Sequence, residues 1–407
     1  MLKKVLGIIA IIILVVSIAG YLAYNDPPTR FKVAQILGLK KSPQKTGDNI
    51  NIQEYFIGLH GPTTMAFVGN DIIYLEKNSG LVRFIKDTKL MDEPLHDFQV
   101  TDEYESGLLG ILVVGSDIYF YVTESDMDGG EPIADNIYKF RWTDEKLDNQ
   151  QLIKSLPAFA TWHHGGVMAL GLDGTVYAVR GDQRDVFGDV EYGVLQNSLS
   201  GNPDDTSIIL LVNKGNDITP SKSAVPFEYY YAIGIRNSFG LAIDPQTGNL
   251  WDTENGEDTY DEINLVLPKF NSGWKKIMGF ANSTQILELS TIRDFMYSDP
   301  EFSWKNSVAP TAILFADERL PHKFQNTVFV ADCNGNIYNF KLDAERTGFI
   351  FNNVDLMDKV ADPDDDLSEI IFAKDLGCIS DLKISPSGSI FVISHANNGV
   401  MYKITFD

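Results

Sequence analysis

Residues 69–74 read GNDIIY, a turn followed by aliphatic and then aromatic side chains, and this unit decides the fold because it recurs. The other copies are GSDIY at 115–119, DGTVY at 173–177, TGNLW at 247–251, QNTVF at 325–329 and PSGSIF at 386–391. Such runs, bounded by Gly, Asn, Asp or Pro, are typical of strands that follow a tight turn. A second strand pattern follows most copies closely, so the sequence predicts a hairpin repeated six times.

The repeats predict an all-β fold, since long helical periodicity is nearly absent after residue 50. Small repeated sheets cannot bury both faces alone, but radial packing lets each sheet cover its neighbour. We therefore expect a six-bladed β-propeller over residues 51–407, with a pair of β-sandwiches as the alternative. In a propeller, loops from every sheet converge at the channel mouth, so a site built from residues distant in sequence is expected there.

The composition describes an acidic globular protein. Lys and Arg number 33 against 56 Asp and Glu, which gives a formal net charge of −23 over 407 residues. A field of this sign repels nucleic acid and anionic lipid surfaces. The composition therefore argues against nucleic acid as a partner.

The N-terminus carries an apolar run. Two lysines in residues 1–4 precede twenty uncharged residues, 5–24, which as a helix span roughly 30 Å of hydrocarbon. Positive charge before the run places the N-terminus in the cytoplasm. We predict one transmembrane helix as a signal anchor in residues 1–24, a linker in 25–50 and an extracytoplasmic body. A cleaved signal peptide is the alternative, with small residues at Ser17 and Ala19.

Several polar residues stand beside the predicted turns. The pair His163 and His164 precedes two glycines, Asp182 follows a strand pattern, and Arg236 with Asn237 interrupts an apolar stretch. Taken singly, such a histidine is more often a loop hydrogen-bond donor, and such an arginine a salt-bridged wall residue. Two further polar segments are TENGEDTYDEIN at 253–264 and NSGW at 271–274.

Together, these segments resemble the glucose/sorbosone dehydrogenase family, extracytoplasmic six-bladed propellers that bind pyrroloquinoline quinone (PQQ) with calcium. The resemblance runs in order over nearly the whole body. It rests on ESGLLG at 105–110, HHGG at 163–166 with Gly171 and Asp173, Gly181 and Asp182, GIRN at 234–237 with Gly240 and Leu241, Asn255 and Gly256 with Asp261, Glu262 and Asn264, and Asn271, Gly273 and Trp274.

The resemblance implies oxidation of a sugar or other alcohol by hydride transfer to PQQ. His163 would be the general base, and Asp182 would hold its ring in the correct tautomer. Arg236 would lie against the quinone oxygen that gains charge, where a fixed cation stabilises the developing anion. Asn237 and Asn255 would bind the cofactor. The expected partners are a small sugar or alcohol substrate and, through the N-terminal helix, a membrane.

The resemblance also implies calcium. Carbonyl oxygens of Gly256 and Glu257 would bind the cofactor calcium, with Gly256 also in the cofactor site, and Glu262 would serve a second, structural ion. Glu257 departs from the proline usual in the family, but a carbonyl ligand survives that change.

A second departure concerns charge. Where the family holds the cofactor carboxylates with a Lys and an Arg pair, this chain has residues 331–335 (ADCNG) and 377–381 (GCISD). Each segment carries one of the two cysteines, Cys333 and Cys378, so the resemblance implies that they face each other across adjacent blades as a disulfide. Two buried single cysteines are the alternative. The missing cations favour a second function, a non-catalytic calcium-stabilised propeller that binds a glycan or protein.

Overall fold

The computed structural model describes residues 42–46, 49–158, 160–183, 194–197, 203–213, 227–289 and 292–407. Within them the chain is almost entirely β, and its strands form six sheets. Sheet I contains β3 (Pro62–Val68), β4 (Asp71–Glu76), β5 (Leu81–Lys86), β6 (Lys89–Leu90) and β7 (His96–Asp97). Sheet II contains β8 (Leu108–Val114), β9 (Asp117–Ser125), β10 (Pro132–Thr143) and β11 (Lys146–Pro157). Sheet III contains β12 (Met168–Leu170), β13 (Val176–Arg180), β14 (Ile208–Leu211), β15 (Tyr230–Ile233), β19 (Phe270–Asn271) and β20 (Met296–Tyr297).

Sheets IV to VI complete the set, and sheet VI joins the two ends of the described chain. Sheet IV contains β16 (Ser238–Ile243), β17 (Leu250–Glu254), β18 (Thr259–Val266), β21 (Phe302–Asn306) and β25 (Val360–Ala361). Sheet V contains β22 (Pro310–Phe315), β23 (Thr327–Asp332), β24 (Ile337–Lys341), β26 (Ile371–Lys374) and β1 (Gln44–Lys45). Sheet VI contains β27 (Ile379–Ile384), β28 (Ile390–Ser394), β29 (Gly399–Phe406) and β2 (Ile50–Leu59). Helical structure is confined to α1 (Ser283–Glu288) and four single 3₁₀ turns in these residues, Val194–Gln196, Phe227–Tyr229, His322–Phe324 and Val354–Leu356.

The first strands of the sheets close a ring. Strand β3 contacts β8, β8 contacts β12, β12 contacts β16, β16 contacts β22, β22 contacts β27, and β27 returns to β3. Buried apolar clusters lie between each pair of neighbouring sheets, including the pair formed by sheets VI and I. Radial packing with a core between neighbours defines a β-propeller, so the predicted all-β propeller is confirmed.

Each copy of the sequence repeat lies in or immediately before the second strand of a different sheet. These strands are β4, β9, β13, β17, β23 and β28, and their side chains are buried almost without interruption. A strand in this position is covered on both faces by the neighbouring sheets, so it reads as a continuous apolar run instead of an alternating one. The repeated aliphatic and aromatic pair is the sequence mark of that double burial.

The predicted anchor at residues 1–24 and the linker up to residue 41 lie outside the described residues. Among the residues that the structure describes, no helix is long and apolar enough to cross a membrane. The end of the predicted linker is not a free tether: β1 pairs with β26, and the Thr46 hydroxyl donates to the Ile371 carbonyl at 2.8 Å. The sequence missed this contact because a polar segment can add to a sheet edge through its backbone alone.

Candidate active site

The candidate site lies at one rim of the ring. Within each sheet the first two strands are antiparallel, so the start of the first strand and the end of the second lie at the same edge. His163 and Arg236 precede the first strands of sheets III and IV, and Asp182 and Asn255 follow the second strands of the same sheets. The ring therefore brings together residues that are far apart in sequence.

His163 and Asp182 form a buried pair. Nδ1 of His163 lies 2.6 Å from Oδ1 of Asp182, and the two residues are 5% and 1% exposed. An imidazole that donates from Nδ1 to a carboxylate keeps its lone pair on Nε2, which is the arrangement a general base needs. The backbone of His163 has φ +60°, an uncommon value for a residue with a side chain. Such backbone strain is concentrated at functional sites.

The neighbouring His164 has a structural role. Its Nδ1 lies 2.8 Å from Oδ1 of Asp135, and its Nε2 lies 3.0 Å from the Ser106 hydroxyl. Both ring nitrogens are occupied, and the side chain has no exposed surface. No described residue bonds to Nε2 of His163, so His163 is the better base of the two.

Arg236 lies against the His163–Asp182 pair. The amide of Asp182 donates to the Arg236 carbonyl at 2.9 Å, which ties the two segments together. Gly181 makes this approach possible, because a Cβ there would lie 2.5 Å from the His163 carbonyl oxygen and 2.6 Å from that of Arg236. The guanidinium donates from Nη1 to the Asn255 carbonyl at 2.8 Å and lies 5.4 Å from the centre of the Trp274 ring. The predicted base and the predicted cation therefore share one corner of the rim.

Glu105 also belongs to the candidate site, although the sequence motif that contains it predicted no role for this residue. Its Oε2 accepts a hydrogen bond of 2.8 Å from the backbone amide of His163 and one of 3.2 Å from Nδ2 of Asn237. The carboxylate thus connects the predicted base to a predicted cofactor-binding residue. Its position at the start of the ESGLLG motif, just before β8, is the signal that could have found it.

Four buried polar atoms at this rim have no hydrogen-bond partner among the described residues. They are Asp182 Oδ2, Arg236 Nε, Asn237 Oδ1 and Asn255 Oδ1. Leaving a buried polar group unpaired costs about 1 to 3 kcal/mol each. Arg236 Nε is a donor and the other three atoms are acceptors, so a ligand that pairs all four must offer both kinds of group. PQQ, a quinone with carboxylate groups, offers acceptors to Arg236 Nε and to the side-chain NH2 groups of Asn237 and Asn255, so these residues fit that group.

A cavity of about 330 Å³ extends from this rim into the channel. Glu105 and Asn255 line it on one side, and Cys333 and Cys378 line it on another. The two cysteines form a disulfide, which joins the end of β23 in sheet V to the start of β27 in sheet VI. They lie across adjacent sheets, as the resemblance implied. Two lysines that the sequence did not single out, Lys77 and Lys383, also line the cavity.

The predicted calcium residues lie beside a buried group of carboxylates. Burial raises the pKa of Asp252 to about 6, and burial with repulsion from Asp252 raises the pKa of Glu254 to about 8. Burial and then Glu254 raise the pKa of Glu262 well above its usual range. No set of three or more His, Cys, Asp or Glu in the described part of the chain has the arrangement of a metal site. Calcium at Gly256, Glu257 and Glu262 therefore stays a prediction.

Comparisons with known proteins show the family to which the chain belongs. A family model described as glucose/sorbosone dehydrogenase matches residues 59–403. An uncharacterised protein of Synechocystis sp. is 23% identical over 374 residues, covering 85% of this chain and 84% of that protein. Quinoprotein glucose dehydrogenase B of Acinetobacter calcoaceticus is 30% identical over 145 residues, covering 33% of this chain and 30% of its own.

Among solved structures, the PQQ-bound aldose sugar dehydrogenase of Streptomyces coelicolor has a TM-score of 0.64. It is 18% identical, and the match covers 88% of this chain and 99% of that one. The fold and the matched family define a propeller of the sugar dehydrogenase class. The chain belongs to the glucose/sorbosone dehydrogenase family.

Proposed function

We propose that this protein oxidises a sugar or other alcohol as a PQQ-dependent dehydrogenase. One observation carries the proposal: a buried His163–Asp182 pair is tied through the backbone to Arg236, at a rim where four buried polar atoms lack hydrogen-bond partners among the described residues. Membership of the family and the quinoprotein relatives support the same chemistry.

PQQ, when bound, supplies the acceptor for the hydride that leaves the substrate carbon. His163 accepts the proton of the substrate hydroxyl at Nε2, since its Nδ1 is committed to Asp182. Asp182 fixes the ring tautomer and stabilises the imidazolium that results. Arg236, buried and fixed by the Asn255 carbonyl, stabilises negative charge on a ligand oxygen beside it.

Asn237 and Asn255 would hold the cofactor through their side-chain amides, whose NH2 groups donate to its oxygens. The Gly256 and Glu257 carbonyls would bind calcium next to it, and Glu262 would bind a second ion. Calcium is consistent with the raised pKa values of Glu254 and Glu262, because a cation offsets the cost of ionising carboxylates that are buried together.

Two aromatic rings could receive the sugar. Tyr104 and Trp162 lie 4.8 Å apart between ring centres, with 30° between their planes, and Tyr104 is half exposed while also lining the cavity. Trp162 directly precedes His163. Aromatic side chains with one polar end suit a ligand that has apolar ring faces and hydroxyl groups.

The wider setting is also part of the proposal. We assign each sheet to one blade, which makes a six-bladed propeller. We also propose that the protein is anchored by residues 1–24 and that its body is extracytoplasmic. The disulfide supports this location, because such bonds persist in oxidising compartments and are rare in the cytosol.

The test is dye reduction by the full-length chain, purified in detergent and incubated with PQQ and calcium, against a panel of aldoses. We expect reduction with at least one aldose, and loss of activity in His163→Ala. His322→Ala, which changes an exposed histidine, serves as the control. If the protein retains PQQ without reducing the dye, or if it neither retains PQQ nor reduces the dye, the result would instead favour a non-catalytic propeller that binds a glycan or protein. The positions of Cys333 and Cys378, where the family has basic residues, are the observation that keeps this alternative open.

A further inference from the structure

Lys77 occupies a fixed position beside the channel cavity. It follows β4, and its carbonyl accepts a hydrogen bond of 2.9 Å from the amide of Leu108 in sheet II. Gly107 allows this contact, because a Cβ there would lie 2.3 Å from the Lys77 carbonyl oxygen. The residue is 9% exposed and lines the cavity that also reaches Glu105 and Asn255. A long cationic side chain is thus held inside the ring.

Among the described residues, none forms an ion pair with the ammonium group of Lys77. Its Nζ donates to Oδ1 of Asn78 at 2.7 Å, and no carboxylate oxygen of the described residues lies within 4.0 Å of it. An ammonium has three donors, and a buried charge is costly unless it is paired. Burial accordingly lowers the pKa of Lys77 to about 8, although the charges of Asp102 and Glu105 act in the opposite direction.

The second lysine of the cavity differs in this respect. Lys383 donates to Oδ1 of Asp381 at 2.6 Å, and Oδ2 of that carboxylate accepts from the Thr64 hydroxyl at 2.7 Å and from the amide of Met65 at 3.0 Å. The charge of Lys383 is therefore already matched by a carboxylate that the fold holds in place.

His395 adds no compensating negative charge beside Lys77. Its Nδ1 lies 3.0 Å from the Pro62 carbonyl oxygen. Burial, with a smaller contribution from the charge of Lys77, lowers the pKa of His395. The imidazole is therefore neutral near pH 7. On this side of the cavity, the charge of the Lys77 ammonium is not matched by a carboxylate of the described residues within 4.0 Å.

We propose that Lys77 forms a carboxylate-binding subsite of this cavity. A carboxylate is the group that an unpaired buried ammonium accepts best, since it pairs the charge and fills the open donor positions. The same cavity is lined by the Cys333–Cys378 disulfide, which offers no charge to an anionic ligand. The carboxylate belongs either to the cofactor, in which case the inference rests on the proposed function, or to an acidic sugar.

The test is calorimetric titration of the full-length protein without turnover, with PQQ, pyridine-2,4-dicarboxylate and glucuronate as probes at pH 7. We expect Lys77→Gln to weaken at least one probe by about 10- to 100-fold, the range for a lost charge-assisted hydrogen bond. Lys77→Arg, which keeps the charge, should retain most of the affinity. The matched control is Lys383→Gln, which loses the same charge from the same cavity and should change binding less than about threefold.

The pattern of losses identifies the occupant. If Lys77→Gln binds PQQ and pyridine dicarboxylate more weakly but glucuronate with unchanged affinity, the subsite belongs to the cofactor. The reverse pattern assigns it to an acidic sugar. If the wild-type protein binds the dicarboxylate through Lys77 but does not bind PQQ, the proposed subsite is supported and the proposed function is contradicted. The inference is overturned if the wild type binds none of the probes, if Lys77→Gln binds all three as the wild type does, or if both glutamine variants weaken them equally.

Discussion

The amide of Asp182 donates a hydrogen bond of 2.9 Å to the carbonyl of Arg236, and the carboxylate of the same Asp182 holds His163 at 2.6 Å. One residue therefore positions both the proposed base and the proposed cation. The side chain and the backbone of Asp182 act on different partners, so substitutions can separate the two effects.

Replacing the Asp182 carboxylate should lower turnover and leave the backbone link intact. In Asp182→Asn, the amide no longer selects the His163 tautomer or stabilises its imidazolium, so kcat should fall by about 10³- to 10⁴-fold. Calorimetric PQQ affinity should change much less, because the Arg236 contact is made by the backbone. Asp128→Asn, in an exposed loop, is the control. Equal losses of turnover and of cofactor affinity would contradict a positioning role.

Adding one methyl group at Gly181 should disturb both partners at once. A Cβ there would press on the carbonyl oxygens of His163 and Arg236, which belong to the backbone and cannot turn away. We expect Gly181→Ala to lower the free energy of unfolding by about 3 kcal/mol and to abolish dye reduction. Gly115→Ala has open space but φ +60°, so it should cost about 1 to 2 kcal/mol and keep its activity. Denaturant titration with activity assays separates these outcomes.

Reducing the disulfide should loosen the junction of sheets V and VI. Cys333 and Cys378 are separated by 45 residues, and closing a loop of that length stabilises the folded state by about 4 kcal/mol in the chain-entropy treatment. Dithiothreitol should therefore lower the Tm of the wild type and leave that of a Cys333→Ala, Cys378→Ala double variant unchanged. An unchanged wild-type Tm, with free thiols demonstrated by mass mapping, would count against this contribution.

Glu301 should make stability depend on pH. Burial raises the pKa of Glu301 to about 8, from the 4.5 of an unburied glutamate. Between these values the folded protein holds a proton that the unfolded chain releases, so stability falls as pH rises, by at most about 1.4 kcal/mol per pH unit. Glu301→Gln should flatten the dependence of the unfolding free energy on pH between 5 and 8. The exposed Glu318→Gln is the control, and an equal slope in wild type and Glu301→Gln would rule out this assignment.

The features that sequence predicted best are those that repeat. Pairs such as Ile73 with Tyr74, or Leu250 with Trp251, mark strands covered on both faces, and this double burial leaves a local apolar run that can be read without knowing the partners. The roles of His163, Asp182 and Arg236 were predicted from the family resemblance of ordered motifs, and they stay predictions. The assembly of these residues then follows from the closed ring.

The features that sequence missed depend on contacts between distant sheets. In the sequence, Lys77 resembles an ordinary polar residue that follows a strand. Only the packing of sheet II against it shows that its ammonium is buried without an ion pair among the described residues. Glu105 gains its role because the ring brings His163 and Asn237 to the same carboxylate. The pairing of β1 with β26 involves backbone groups, so the polar side chains of Gln44 and Lys45 carried no signal of it.

We propose that Arg236, Asn237, Asn255 and the His163–Asp182 pair surround one ligand. The most direct test of this proposal is equilibrium titration of the full-length protein with PQQ in the presence of calcium, comparing wild type with Arg236→Gln. We expect one PQQ per chain and an affinity at least about tenfold weaker in Arg236→Gln, since a charge-assisted contact is lost. Absence of PQQ binding in the wild type, or equal affinity in the two proteins, would contradict it.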